Sequence, residues 1–225
     1  MHKRVARYKA VLFDLDGTLL DTAPDFTTAT NVLLAKKNLP QTTEEKIRPL
    51  ISDGSAGIIS SIFMMDKSSQ IFEKTRQELL VAYKKHLADN TRLFKGLDKL
   101  LLELENNNIP WGVVTNKPEL YTKAIFNQLK MKWHPDVTVC PDHIKKIKPD
   151  PEAVLLACSQ LGVKAKDTVF IGDHHRDIKA GISAGTSTIA AAYGYIDDHS
   201  ALSDWQADHI VMRSEDLINL IFYPQ

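Results

Sequence analysis

Four short apolar runs, KAVLFDL (residues 9 to 15), PWGVVT (110 to 115), DTVFI (167 to 171) and STIAA (187 to 191), are bounded by breakers and polar residues at lengths typical of strands. Runs that are apolar throughout, rather than at every second position, belong to strands covered on both faces. Between them lie helical patterns at Leu97 to Glu105, Glu119 to Leu129, Pro151 to Leu161 and Ile178 to Ala184, the last stopped by Gly185. Strand and helix alternating in this way predict an α/β fold on a mostly parallel sheet with helices on both faces. At 225 residues and 44% hydrophobic, the chain has material for a full core.

Residues 24 to 93 break the alternation. They hold amphipathic stretches, Phe26 to Lys37 and Ser69 to Leu87, and no strand pattern, so a helical insert acting as a lid is expected there. SDGSAG (52 to 57) reads as a flexible loop between its helices, able to reach over a site and exclude water. Gly96 and the helix after it mark the return to the main body. The expected division is a core of residues 1–22 and 94–225 and a cap of residues 23–93, without internal repeats or low-complexity tracts.

Lys plus Arg and Asp plus Glu number 28 each, so no overall field draws the chain to nucleic acid or to an anionic membrane surface. MHKRVARY is basic, but the apolar run after it meets Asp14 too early for a signal peptide, and no stretch approaches a membrane span. A cytoplasmic protein with a small-molecule partner is expected, and no sequence feature specifies an oligomeric state. Cys140 and Cys158 are read as buried thiols.

In an open α/β sheet, ligands bind beyond the carboxyl ends of the strands. Those ends carry Asp14 and Asp16, then Thr115 and Asn116, then Asp173 and Asp177, while Lys148 precedes the helix that Pro149 and Asp150 help to start. Four carboxylates and one lysine converging leave an excess of about three negative charges, and each like pair at ~4 Å costs several kcal/mol in a partly buried site. A cation is required, and an all-oxygen donor set with water favours Mg²⁺. Strand alternation places Asp14 and Asp16 on one side with Leu15 directed elsewhere. One carboxylate then attacks while the other moves protons: Asp14 is assigned as nucleophile forming an aspartyl phosphate, and Asp16 as acid and then base. Gly17 permits the tight turn after them. His174 and His175 are adjacent, a poor arrangement for ligating one zinc ion, and are placed at the rim.

DLDGT (14 to 18), Thr115 in VVTNKP, Lys148 in KPDP and GDHHRD (172 to 177) resemble the four ordered motifs of the haloacid dehalogenase (HAD) superfamily of phosphohydrolases. The resemblance implies a Rossmann-like core with a helical cap inserted after the first strand. It also implies roles: Asp14 nucleophile, Asp16 acid and base, Thr115 with Asn116 at the phosphate, and Lys148 balancing charge. Asp14, the Asp16 carbonyl and Asp173 would ligate Mg²⁺, with Asp177 supporting them. TNKP, KPDP with LLACSQLG (155 to 162), and YGYI (193 to 196) resemble phosphoglycolate phosphatases, which gives the leading expectation: a Mg²⁺-dependent hydrolase of a small, carboxylate-bearing phosphate ester. WGVVTNKP, VCPDH (139 to 143), ACSQLG, Trp205 and Ala207-Asp208 resemble the N-acetylmuramic acid 6-phosphate phosphatases of peptidoglycan recycling, the alternative. A phosphomutase of the same superfamily ranks lower, a dehalogenase lacks the second aspartate, and a non-catalytic phosphate-binding module is the remaining rival. Both favoured substrates carry a carboxylate, which predicts a second cationic group: Lys117, or Arg48 or Lys46 in the cap.

Overall fold

A computed structural model describes residues 5–129, 131–196 and 199–223. The terminal residues 1–4, 224 and 225, which the sequence reading assigns to the core, lie outside the described residues. The chain opens with β1 (Ala10–Phe13) and β2 (Leu20–Asp21), then enters α1 (Ala23–Lys36), α2 (Glu44–Ile47), α3 (Gly54–Ile62) and α4 (Phe72–Lys85), and returns through β3 (Arg92–Leu93). The rest alternates through α5 (Leu97–Asn106), β4 (Trp111–Val114), α6 (Glu119–Leu129), β5 (Val137–Val139), α7 (Glu152–Leu161), β6 (Thr168–Gly172), α8 (His175–Ala184), β7 (Ser187–Ala191), β8 (His209–Val211) and α9 (Leu217–Ile221).

The main sheet has the order β5-β4-β1-β6-β7-β8, with every neighbouring pair parallel. Its two faces follow from the period of two along each strand. Val11, Phe13, Val113, Val169 and Ile171 pack in one layer with Leu100 and Leu104 of α5, Ile125 of α6 and Leu217 of α9. Leu12, Val114 and Phe170 face the opposite layer, where Ala153 and Ala157 of α7 and Ala180 of α8 meet the sheet. Each large apolar side chain so buried contributes about 1.5–3 kcal/mol, which fixes the register, since a slip of one residue would exchange the layers. β1 lies between β4 and β6, so the chain leaves it toward opposite edges and opens a crevice at the carboxyl ends of these strands.

The helices between β2 and β3 form a cap-like region over that crevice. Phe26 of α1 stacks on Tyr83 of α4 with ring centroids 3.9 Å apart. The two crossings between cap helices and sheet are tied together: β2 and β3 pair antiparallel, and fully buried Asp25 accepts from the Asn90 and Thr91 main-chain N–H groups at 2.8 and 3.2 Å.

Two expectations are corrected. SDGSAG is not a loop: a 3-10 turn over Arg48–Asp53 runs directly into α3 at Gly54. Burial of Ile51, Ile58 and Ile59 outweighs the weak helix preference of glycine and serine. The two-residue strands β2 and β3 were not anticipated, and β3 falls within residues 24–93, where no strand was expected; each exists through its pairing with the other. β5 and β8 were likewise not anticipated from the sequence. Each spans three residues and is secured by an aspartate: Asp136 accepts from Trp111 N at 2.9 Å, and Asp208 from Thr188 N at 2.7 Å. Both cysteines are buried and unpaired, and no described helix is long and apolar enough to cross a membrane.

Candidate active site

Asp14 continues β1, its N–H donating to Ile171 O at 2.8 Å, which fixes its carboxylate at the crevice between β1 and β6. Gly17 follows at φ +86°, and its N–H closes a turn on Leu20 O at 2.9 Å. This backbone lies so close to Asp173 that a Cβ at Gly17 would stand 2.1 Å from Asp173 Oδ2, and one at Gly194 would stand 2.4 Å from Asp173 Cβ. Asp173 is held on both oxygens, by the Thr18 hydroxyl at 2.9 Å and the Tyr195 N–H at 2.8 Å. Asp177 accepts from His174 N at 3.1 Å through Oδ2, so the carboxylate caps α8 while its other oxygen meets Lys148 Nζ at 2.7 Å. That capping explains why α8 starts at His175, earlier than the apolar pattern predicts.

Lys148 is buried between these acids. Its Nζ lies 2.7 Å from Asp14 Oδ1 and 2.7 Å from Asp177 Oδ1, and donates to Val114 O at 2.8 Å. The contact with Asp177 is an ion pair poorly aligned for a hydrogen bond, so Asp177 Oδ1 is buried without a well-directed donor. Asn116 grips the Lys148 main chain from both sides, accepting from its N–H and donating to its carbonyl, each at 3.1 Å.

Carboxylate oxygens of Asp14, Asp173 and Asp177 lie within 4.8 Å of one another. Burial, eased by Lys148 and reinforced by Asp177, raises the Asp14 pKa from 3.8 to about 6. Burial, with Asp14 and Asp177 nearby, pushes Asp173 well above the ordinary carboxylate range. Burial works to lower Lys148, but the two carboxylates outweigh it and hold the ammonium above its usual pKa. His174, buried beside Arg176, falls to about 4 and is neutral at physiological pH.

Asp16 stands across the crevice. It accepts from the Thr22 hydroxyl at 2.6 Å and from Lys117 Nζ at 3.0 and 3.3 Å. Lys117 Nζ also donates to Tyr83 Oη at 3.0 Å and lies 4.8 Å from the centre of the Phe26 ring, so the core and both long cap helices meet at this ammonium. With Lys117 counted, four carboxylates face two buried ammonium groups, an excess of two negative charges that a single divalent cation would cancel. The carboxylates of Asp14, Asp173 and Asp177 gathered within 4.8 Å, two of them raised by burial, are hard oxygen donors that fit such an ion.

A cavity of about 210 Å³ opens above the acids, and Asp14, Asp16, Thr115, Asn116, Lys117, Lys148 and Asp177 all line it. Thr115 is buried at the end of β4, its Oγ1 accepting from Lys117 N at 3.1 Å. Two expectations about cationic partners are revised. Arg48 does not line the cavity, because Asp21 at 2.8 Å and Glu44 hold it at the hinge, and Lys46 is exposed outside it. Lys117 does line the cavity, with its ammonium 3.0 Å from Asp16 Oδ1. Sequence reasoning missed Arg76 and Arg176, which do line the cavity. Arg176 lay inside GDHHRD, and Arg76, Leu80 and Tyr83 share one face of α4 at intervals of four and three residues, a spacing visible in the sequence without the direction in which that face points.

The family model "Haloacid dehalogenase-like hydrolase" matches residues 11–191. The N-acetylmuramic acid 6-phosphate phosphatase of Pseudomonas aeruginosa is 44% identical over 215 residues, covering 96% of this chain and 95% of its own. The phosphoglycolate phosphatase of Xanthomonas campestris pv. campestris is 38% identical over 219 residues, covering 96% and 98%. The crystal structure of a predicted phosphoglycolate phosphatase from Haemophilus somnus superposes with a TM-score of 0.80 at 25% identity, covering 95% of this chain and 98% of that one.

Proposed function

The chain belongs to the haloacid dehalogenase-like hydrolases, and from that membership we propose that it hydrolyses a carboxylate-bearing sugar phosphate through an aspartyl phosphate on Asp14, with Mg²⁺ as the metal. Asp14, Asp173 and the Asp16 carbonyl would hold the ion, with the Asp177 carboxylate beside them. When bound, Mg²⁺ supplies positive charge against the phosphoryl oxygens and against the repulsion between Asp14 and the incoming ester.

Thr115 and Lys148 bind the phosphoryl oxygens, with Asn116 fixing the Lys148 main chain. A carboxylate oxygen of Asp14 forms a bond to phosphorus as the ester P–O bond breaks, and Asp16, which enters this step as the carboxylic acid rather than as the carboxylate paired with Lys117, gives its proton to the leaving oxygen. Asp16 then takes a proton from water, whose oxygen bonds to phosphorus as the bond to Asp14 breaks. Tyr83 and Lys117 link the cap to Asp16, so the seated cap and the proton-transfer group are one contact network.

The sequence motifs put phosphoglycolate first, and we reverse that order in favour of N-acetylmuramic acid 6-phosphate. The observation that carries this reading is the cavity wall facing the acids, built from Phe26, Ile51, Leu80, Tyr83 and Tyr121. A two-carbon ester has one methylene between two anions, and these walls would desolvate its charges without contacting apolar surface. Phe26 and Tyr83 are stacked on each other, but Leu80 and Tyr121 are half-buried and offer apolar surface that the faces of a pyranose with an acetamido group can cover. The greater identity to the N-acetylmuramic acid 6-phosphate phosphatase points the same way.

The test is hydrolysis of N-acetylmuramic acid 6-phosphate and of phosphoglycolate, each with Mg²⁺ and with EDTA. The expected result is kcat/KM at least about tenfold higher for the amino-sugar ester and loss of both activities in EDTA. Faster hydrolysis of phosphoglycolate would return the assignment to the smaller substrate.

A further inference from the structure

Among the described residues lining the cavity, the permanently cationic side chains are Lys117, Lys148, Arg76 and Arg176. The two lysines are matched by buried or half-buried acids of the reaction centre. The two arginines are not. Arg76, on the cap helix α4, is bound by Glu73, whose side chain is 62% exposed, and reaches the Ser55 hydroxyl at 3.3 Å. Arg176, in the first turn of the core helix α8, lies against the His174 ring, its Nε donating to His174 Nδ1 at 3.0 Å, and contacts Asp53 at 3.1 Å, a carboxylate whose side chain is 68% exposed. Ion pairs to carboxylates so open to water contribute little, and a ligand carboxylate that arrives desolvated in the cavity competes with them readily.

From this geometry we infer that Arg76 and Arg176 together form the subsite for the substrate's carboxylate, opposite the phosphate cradle of Thr115 and Lys148. Ser55, touched by Arg76, and Asp53, touched by Arg176, are two residues apart at the start of α3, so the two guanidinium groups flank one short stretch of wall. Their existing carboxylate partners hold the planar forks in place, which lowers the entropy lost when a substrate carboxylate replaces them. Because one arginine comes from the cap and the other from the core, the subsite is complete only when the cap is seated. A carboxylate-bearing ester therefore stabilises the closed form in which Tyr83 meets Lys117, and an ester without the carboxylate does so less.

This inference rests on the proposed substrate class. It is tested by comparing N-acetylmuramic acid 6-phosphate with N-acetylglucosamine 6-phosphate, the same sugar phosphate without the carboxylate-bearing ether. Wild type, Arg76→Met, Arg176→Met and the conservative Arg176→Lys are assayed with Mg²⁺. The ratio of the two kcat/KM values does not depend on the active fraction of a preparation, so partial misfolding leaves it readable. Wild type should favour the muramic ester. Each Met variant should lower that ratio about tenfold or more, chiefly through KM for the muramic ester, and Arg176→Lys should restore part of it. A wild-type preference that survives in both Met variants overturns the subsite while leaving the substrate reading intact. A fall in only one variant overturns the paired arrangement in favour of a single arginine. A wild type indifferent to the carboxylate overturns the substrate reading and the subsite with it.

Discussion

Asp14 shows how a residue suited to nucleophilic attack is poorly accommodated until a cation arrives. In the metal-free chain, burial holds its pKa near 6 against 3.8 ordinarily, so between these values the folded state binds a proton that the unfolded state has released. Stability from this group therefore falls as pH rises from about 4 to about 6, and above that the full penalty of an ionised buried carboxylate is present. A divalent ion favours the ionised form and acts against that penalty. Mg²⁺ should accordingly raise Tm more at about pH 7.5 than at about pH 5, where Asp14 must first lose its proton. Equal shifts at the two pH values would contradict a cation at this carboxylate. At this scale the sequence was informative about identities and silent about partners. DLDGT and GDHHRD placed their aspartates at strand ends, but nothing local in TNKP reveals that Lys117 reaches Asp16 and Tyr83, a contact formed across 101 residues on one side and 34 on the other.

Helices and strands were legible where one element carried its own pattern and obscure where its stability came from elsewhere. β1, β4, β6 and β7 carry continuous apolar stretches and announce themselves, whereas β5 and β8 are three-residue pieces held by Asp136 and Asp208. α3 was hidden by its glycines and serines, whose local preference opposes the helix that tertiary burial of Ile58 and Ile59 imposes. The hinge between core and cap is likewise a tertiary device. Asp25, buried at the start of α1, satisfies two main-chain N–H groups and the Thr91 hydroxyl beside β3. Asp25→Ala leaves those donors unpaired and should cost about 3 kcal/mol or more in urea unfolding. A change within about 0.5 kcal/mol would show that the hinge does not depend on this carboxylate.

Across the whole molecule, overall charge is balanced and the site is not. The formal charges sum to zero, while the topology gathers four acids and two lysines at the point where strand order reverses. Cap helices close that crevice with aromatic walls and one arginine, and α8 brings the other arginine together with Asp177. Chemistry thus resides in the sheet and selection in the seam between sheet and cap, which explains why the four motifs reveal the reaction class more readily than the substrate.

The reaction proposed for this site turns on Asp14 itself becoming phosphorylated. The direct measurement is acid quenching of enzyme turning over a ³²P-labelled phosphate ester with Mg²⁺, comparing wild type with Asp14→Asn. Protein-bound label that hydroxylamine releases is expected in wild type and not in Asp14→Asn. Label of equal amount on Asp14→Asn would contradict phosphorylation of Asp14.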